Sequence, residues 1–210
     1  MTLFSLYEQK LIRLTDDQGN TFTGIADTLP AEYCMHEYGH EEEAIQLGEY
    51  IIYKSQITKV EILPTYEEAV AAIPPGKYRH FKGKDYEVIA IARHTETEEA
   101  MVVYKALYGD GGIWVRPVSM WNETVERAGK TYRRFYRLDR IERVEKFEKL
   151  FDEAVVSDDA EKLRLLSAYY TSGEWREDYE ADERGELPPD LKRGVLSQDA
   201  LYDLLEGYKG

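Results

Sequence analysis

The 210-residue chain contains one cysteine, Cys34. A single thiol excludes an intrachain disulfide framework and fits a reducing, cytoplasmic location. Long apolar runs are missing as well: no stretch of ~18 uninterrupted apolar residues occurs, so no membrane-spanning helix is expected. Residues 1–14 lack a basic segment followed by a continuous apolar run, so export is not expected either. Positive charge is scarce: 27 Lys and Arg face 41 Asp and Glu, for a net charge of −14. That balance makes general nucleic-acid binding unlikely, because attraction to phosphates depends on basic side chains. What is present is ordinary for a globular protein. A hydrophobic fraction of 43% with 12% aromatics supplies material for buried cores and excludes a disordered or fibrous chain.

The acidity is uneven. Residues 1–63 carry a net charge of −7, residues 64–140 carry +2 and residues 141–210 carry −9. Asymmetry of this size marks separate folding units. In the first segment, short apolar runs at 10–14, 21–26, 44–47, 50–53 and 58–62 read as five strands, with a turn at 16–20 and a polar loop after the second run. Five strands in about 60 residues predict a small barrel. Thr65 and Glu68 then have capping-box spacing for a short helix stopped by Pro74, Pro75 and Gly76. The middle segment reads as β again, with strands at 86–92 and 101–107 and a hairpin from 119–125 to 131–135. From Asp139 the apolar period lengthens. Ile141, Val144, Phe147, Phe151 and Ala154 form one helical stripe. Ser157 is positioned to cap a second helix ending near Gly173, and Ser197 a third. Residues 174–196 between them are polar, with Pro188 and Pro189 and few periodic apolar positions. The expected architecture is therefore mainly β with an α-helical C-terminal domain. Its modules are a barrel at 1–63, a helical linker at 64–76, a second barrel at 77–138 and helices at 139–210.

Tyr78, Arg79, His80, Phe81, Lys82 and Gly83, the run 92–97, the run 102–109 and the run 114–120 form four ordered blocks. Together they resemble the bacterial family known as domain of unknown function 1653, over about 76–138. The resemblance implies an SH3-like barrel and carries no activity. The runs 175–183 and 190–197 resemble domain of unknown function 4298, over about 140–207, which implies no activity either. Gly19, Asn20, Thr21, Phe22, Thr23 and Gly24 are similar to the Sm-like RNA-binding barrels. That family's base-binding loops have no match here, so the likeness implies fold alone.

Three clusters of side chains carry chemistry. Cys34, His36 and His40, with Glu37 or Glu41 beside them, are zinc-ligand types, although their spacing fits no zinc motif; a polar loop is the alternative, and no other cofactor is expected. Arg79, His80, Lys82, His94 and Arg116, with Tyr104 and Trp114, combine cations and rings suited to an anionic small molecule, a peptide or a nucleic-acid end. The alternative is that the arginines pair with carboxylates and the rings pack. Arg127, Lys130, Arg133, Arg134 and Arg137 form a basic face for a nucleic acid, or for the acidic run 177–183 docking in cis. The leading expectation is a non-catalytic binding or adaptor protein with an anionic ligand or a protein partner. A metal-assisted or phosphate-handling hydrolase and a structural subunit of a larger complex remain the alternatives.

Overall fold

The computed structural model describes residues 4–157 and 159–208. The chain forms antiparallel sheets in its N-terminal part and helices in its C-terminal part. It divides into two compact units that interleave in sequence. The first comprises 1–75, 89–104 and 114–121; the second comprises 76–88, 105–113 and 122–210. No helix among the described residues is long and apolar enough to cross a membrane.

The first sheet contains all five expected strands: β1 Leu11–Asp16, β2 Thr21–Leu29, β3 Ala44–Leu47, β4 Tyr50–Tyr53 and β5 Ile57–Ile62. Their order is β4-β3-β2-β1-β5, with antiparallel pairing throughout. Among the described residues the sheet does not close into a ring. Its core is Phe4, Ile12, Leu14, Ala26, Ile45, Leu47 and Ile52. These branched and aromatic side chains fill one face, as alternating strands require.

The segment expected as a polar loop after β2 holds a two-turn helix instead, α1 Ala31–Tyr38. Pro30 precedes it, and Gly39 ends it in the left-handed region at φ 69°. Only Cys34 is buried on it, so it leaves almost no apolar periodicity in the sequence. The next helix, α2 Tyr66–Ala72, has the expected capping box. The Glu68 amide donates to Thr65 Oγ1 at 3.2 Å, and the Thr65 amide donates to Glu68 Oε2 at 2.9 Å.

The second sheet runs β12-β6-β7-β8-β9. Its strands are β6 Gly76–His80, β7 Asp85–Arg93, β8 Ala100–Ala106, β9 Ile113–Pro117 and β12 Phe135–Arg137. β7, β8 and β9 each contribute residues to both units. The expected hairpin starts later than its sequence suggested. Residues 118–121 form a single turn, α3 Val118–Trp121, and the strands are β10 Thr124–Arg127 and β11 Lys130–Arg133. Ala128 and Gly129 both have positive φ, as a two-residue type I′ turn demands.

Within the first unit, Arg13 of β1 contacts Glu99 Oε1 at 2.6 Å and Ser119 Oγ at 3.3 Å, while Ser119 donates to Glu99 at 3.2 Å. Glu99 is 9% exposed, so these partners offset the cost of burying its carboxylate. Replacing Glu99 with Ala is expected to destabilise the first unit by about 2–3 kcal/mol. That is below the cost for a fully buried pair, because Arg13 keeps 22% of its side chain exposed. Urea titration followed by tryptophan fluorescence would measure it, since Trp114 and Trp121 both lie in this unit. An unchanged midpoint would show that the pair is energetically idle.

The second unit contains α4 Leu138–Val156, α5 Ala160–Tyr170, α6 Gly173–Glu183 and α7 Gln198–Tyr208. Two sequence expectations are corrected here. The cap of α5 is Asp159, whose Oδ1 accepts from the amides of Glu161 and Lys162. Ser157 instead closes α4, donating to the Glu153 carbonyl at 2.8 Å. α6 lies in the stretch that separates the two expected helices. Its inward positions are Trp175, Asp178 and Ala181, so its central buried residue is a carboxylate and the apolar stripe disappears from the sequence. Ser197 does cap α7, accepting from the Ala200 amide at 3.3 Å. The helical core gathers Val144, Leu163, Leu166, Tyr169, Trp175, Val195, Leu196, Leu201 and Leu205.

Candidate ligand-binding site

One face of α4 presents Ile141, Glu145, Glu148, Lys149 and Asp152, which follow the three- and four-residue steps of a helix side. In the second unit this face borders a cavity of about 470 Å³, together with Arg79 of β6 and the loop carrying Pro188, Asp190, Leu191 and Lys192. The lining mixes three cations with four carboxylates.

Arg79 and Asp85 are cross-strand partners in the β6–β7 register. Their side chains meet in a two-pronged contact, Nε to Oδ1 at 2.8 Å and a second guanidinium nitrogen to Oδ2 at 3.1 Å. The hydrogen bonds that the guanidinium donates to Asp85 raise its pKa further.

At the other end, Glu148 is 6% exposed as a side chain, and its Oε2 accepts from the Val195 amide at 2.7 Å. Its Oε1 is buried and accepts no hydrogen bond among the described residues. The Lys192 ammonium stands 3.6 Å from that oxygen and donates to both oxygens of Asp152, at 2.5 Å to Oδ2. Asp152 raises the pKa of Lys192, so the ammonium stays charged. Gly194 permits this packing. A Cβ there would lie 3.1 Å from Glu148 Oε1 and 3.3 Å from the Phe151 ring.

A buried ionic network braces the same helices. Asp178 is fully buried, and Arg143 grips it with bonds of 2.7 and 2.6 Å. Tyr169 donates its hydroxyl to Asp178 at 2.8 Å, and Arg140 Nε lies 3.4 Å away. Burial first, then the bond to Asp178, pushes the Tyr169 phenol far above its ordinary pKa, which keeps it a donor.

The residues expected from sequence distribute as follows. Arg79, His80 and Lys82 belong to the second unit, and His94, Tyr104, Trp114 and Arg116 to the first. His80 packs against Phe81 and Phe135 while its Nδ1 accepts from the Lys82 amide. His94 Nδ1 accepts from the amides of Glu96 and Thr97, which makes it a turn former. Tyr104 is buried edge-on against Trp121, whereas Trp114 is exposed. In the basic run, Arg133 donates to the Arg184 carbonyl at 3.1 Å and lies 3.7 Å from Glu186. Arg134 pairs with Glu123 and Arg137 with Asp139, while Arg127 and Lys130 make no ion pair among the described residues. Cys34 is buried, His36 is exposed beside Glu37, and His40 stacks on Tyr53. Among the described residues no three His, Cys, Asp or Glu side chains come together as a metal-holding group.

Sequence reasoning missed Glu145, Glu148, Lys149, Asp152, Asp190 and Lys192. One signal could have found Glu148. It occupies the step between Val144 and Phe151 in the apolar stripe, where a carboxylate must be buried.

Residues 76–137 match the family described as "Protein of unknown function (DUF1653)", and residues 136–210 match "Domain of unknown function (DUF4298)". A crystal structure of a DUF1653 protein from Bordetella bronchiseptica is 40% identical over 31% of this chain and 87% of that one, with a TM-score of 0.30. No curated protein gives a significant match. The chain thus belongs to the DUF1653 family through residues 76–137, and its residues 136–210 match the DUF4298 model.

Proposed function

We propose that this chain is a binding protein of the cytoplasm, and that its ligand occupies the cavity bordered by Arg79, α4 and the 188–192 loop. The observation that carries this reading is the shared construction of the cavity. Its strand side comes from the DUF1653 segment and its helix and loop sides from the DUF4298 segment, so neither family segment alone supplies the lining. A cavity of this volume is the size of a small-molecule or short-peptide site, and its seven charged lining residues suit a charged ligand.

The charge pattern favours a ligand with both signs. Arg79 is matched by Asp85, and a bare anion approaching it would also meet Glu145 and Asp190. We read the two five-stranded sheets as SH3- or Sm-like barrels in open form, which accords with a binding platform. The contacts of Arg133, Arg134 and Arg137 support internal neutralisation of the basic run over a nucleic-acid role.

The test is an NMR titration of the labelled protein with Lys-Gly-Glu tripeptide, free amino acids and inorganic phosphate. Zwitterionic probes are expected to shift the amides of Glu145, Lys149 and Leu191 saturably. Replacing Arg79 with Ala should weaken that binding about tenfold, roughly the worth of one charge-assisted contact. If no probe perturbs the cavity, or the Arg79 variant binds equally well, the assignment fails.

A further inference from the structure

We infer that the end of this cavity lined by Glu148, Asp152 and Lys192 is a seat for a primary ammonium group, formed by the two carboxylates and held in the free protein by Lys192. The inference rests on the binding reading above and names the ligand group that the site selects.

Three observations converge on it. Glu148 lines the cavity and is almost wholly buried, its carboxylate is oriented by the Val195 amide, and its buried Oε1 has no hydrogen-bond donor among the described residues. A buried acceptor left in this state costs free energy that an incoming N–H would recover. Asp152 stands one helical turn further on, on the same face of α4. The Lys192 ammonium already rests on Asp152, yet its 3.6 Å separation from Glu148 Oε1 is too long for a hydrogen bond.

Lys192 is therefore an imperfect occupant. Its side chain is 68% exposed, and it hydrogen-bonds Asp152 while reaching Glu148 only as a 3.6 Å ion pair. A ligand ammonium carries three donors and could serve Asp152 and Glu148 together. Lys192 would then swing into solvent, which its exposed stem allows. The shared chemistry is R–NH₃⁺, from a lysine side chain or from a peptide N-terminus. A quaternary ammonium offers the same charge with no N–H and should be refused.

The experiment is a titration of the full-length protein with n-butylammonium and, separately, butyltrimethylammonium, read at the Gly194 and Val195 amides by NMR. Butylammonium is expected to shift both saturably, and butyltrimethylammonium is expected not to. Lys192→Ala removes the internal competitor. If Lys192 holds the seat about 90% of the time, that variant should tighten butylammonium binding about tenfold. Asp152→Asn, on a half-exposed side chain that should not disturb folding, is expected to weaken it about tenfold. Equal binding of the two ammonium ions, or no saturable shift in wild type and Lys192→Ala alike, would overturn the inference. If tripeptides shift the Arg79 and Glu145 end while butylammonium leaves Val195 unmoved, the cavity stands as a binding site and the ammonium seat falls. Nα-acetyl-lysine amide and alaninamide as further probes separate the two sources, the tighter one identifying the natural group.

Discussion

Replacing Asp178 with Ala should cost the second unit about 3–5 kcal/mol, a loss of roughly two to almost four orders of magnitude in its folding equilibrium. Asp178 is fully buried on α6 and accepts two bonds from Arg143 and one from Tyr169, with Arg140 close by. Deleting the carboxylate strands a guanidinium that is itself mostly buried and removes the acceptor of a buried hydroxyl. The attraction between the partners matters less here than the desolvated groups left behind. A typical domain has only about 5–15 kcal/mol in total, so the variant should approach the folding threshold. Asp178→Asn keeps the shape and an acceptor oxygen but not the charge, and should fall between. Urea unfolding monitored by circular dichroism at the helical band measures both variants. A wild-type midpoint for Asp178→Ala would show that Arg143 and Tyr169 find other partners at no cost.

Trp175→Ala should have a comparable effect, about 3–5 kcal/mol, for a different reason. The indole is 6% exposed, stacks on Tyr179 at 5.3 Å and meets Tyr170 edge-on at 4.9 Å. Its Nε1 donates to the Val195 carbonyl at 3.0 Å. Truncation would leave a large void and an unsatisfied carbonyl in the turn whose amide orients Glu148. Stability and the geometry of the cavity should therefore fail together. Trp175→Phe restores most of the packing and loses the hydrogen bond, so about 1–2 kcal/mol is expected. The same urea titration distinguishes the two terms. Equal midpoints for Trp175→Ala and Trp175→Phe would mean that packing contributes nothing beyond the hydrogen bond.

Much of this molecule was legible locally. The five strands of the first sheet follow from their short apolar runs and the turns between them. The Thr65 capping box and the long helix α4 follow from spacing alone, because their determinants lie within a few residues of one another. Helices α1 and α6 were not legible. Each buries so little apolar surface along its inward face that periodicity vanishes, α1 through its shortness and α6 because Asp178 occupies the central position. The residues of the proposed site were hidden for a related reason. Glu145 and Asp152 look like the solvated face of an ordinary charged helix until β6 and the 188–192 loop pack beside them, and Glu148, although it stands in the apolar stripe, does not reveal its partners.

By itself, then, the sequence determined the β-then-α order, the two family segments, and most strand and cap positions, all of which depend on short-range steric and hydrogen-bonding preferences. Tertiary structure alone decided which charges are neutralised and which are poised. Arg79 finds Asp85 across a strand pair, Arg143 finds Asp178 from 35 residues away, and Lys192 finds Asp152 from 40. Electrostatic roles depend on distance and burial in space, and neither is set by proximity along the chain.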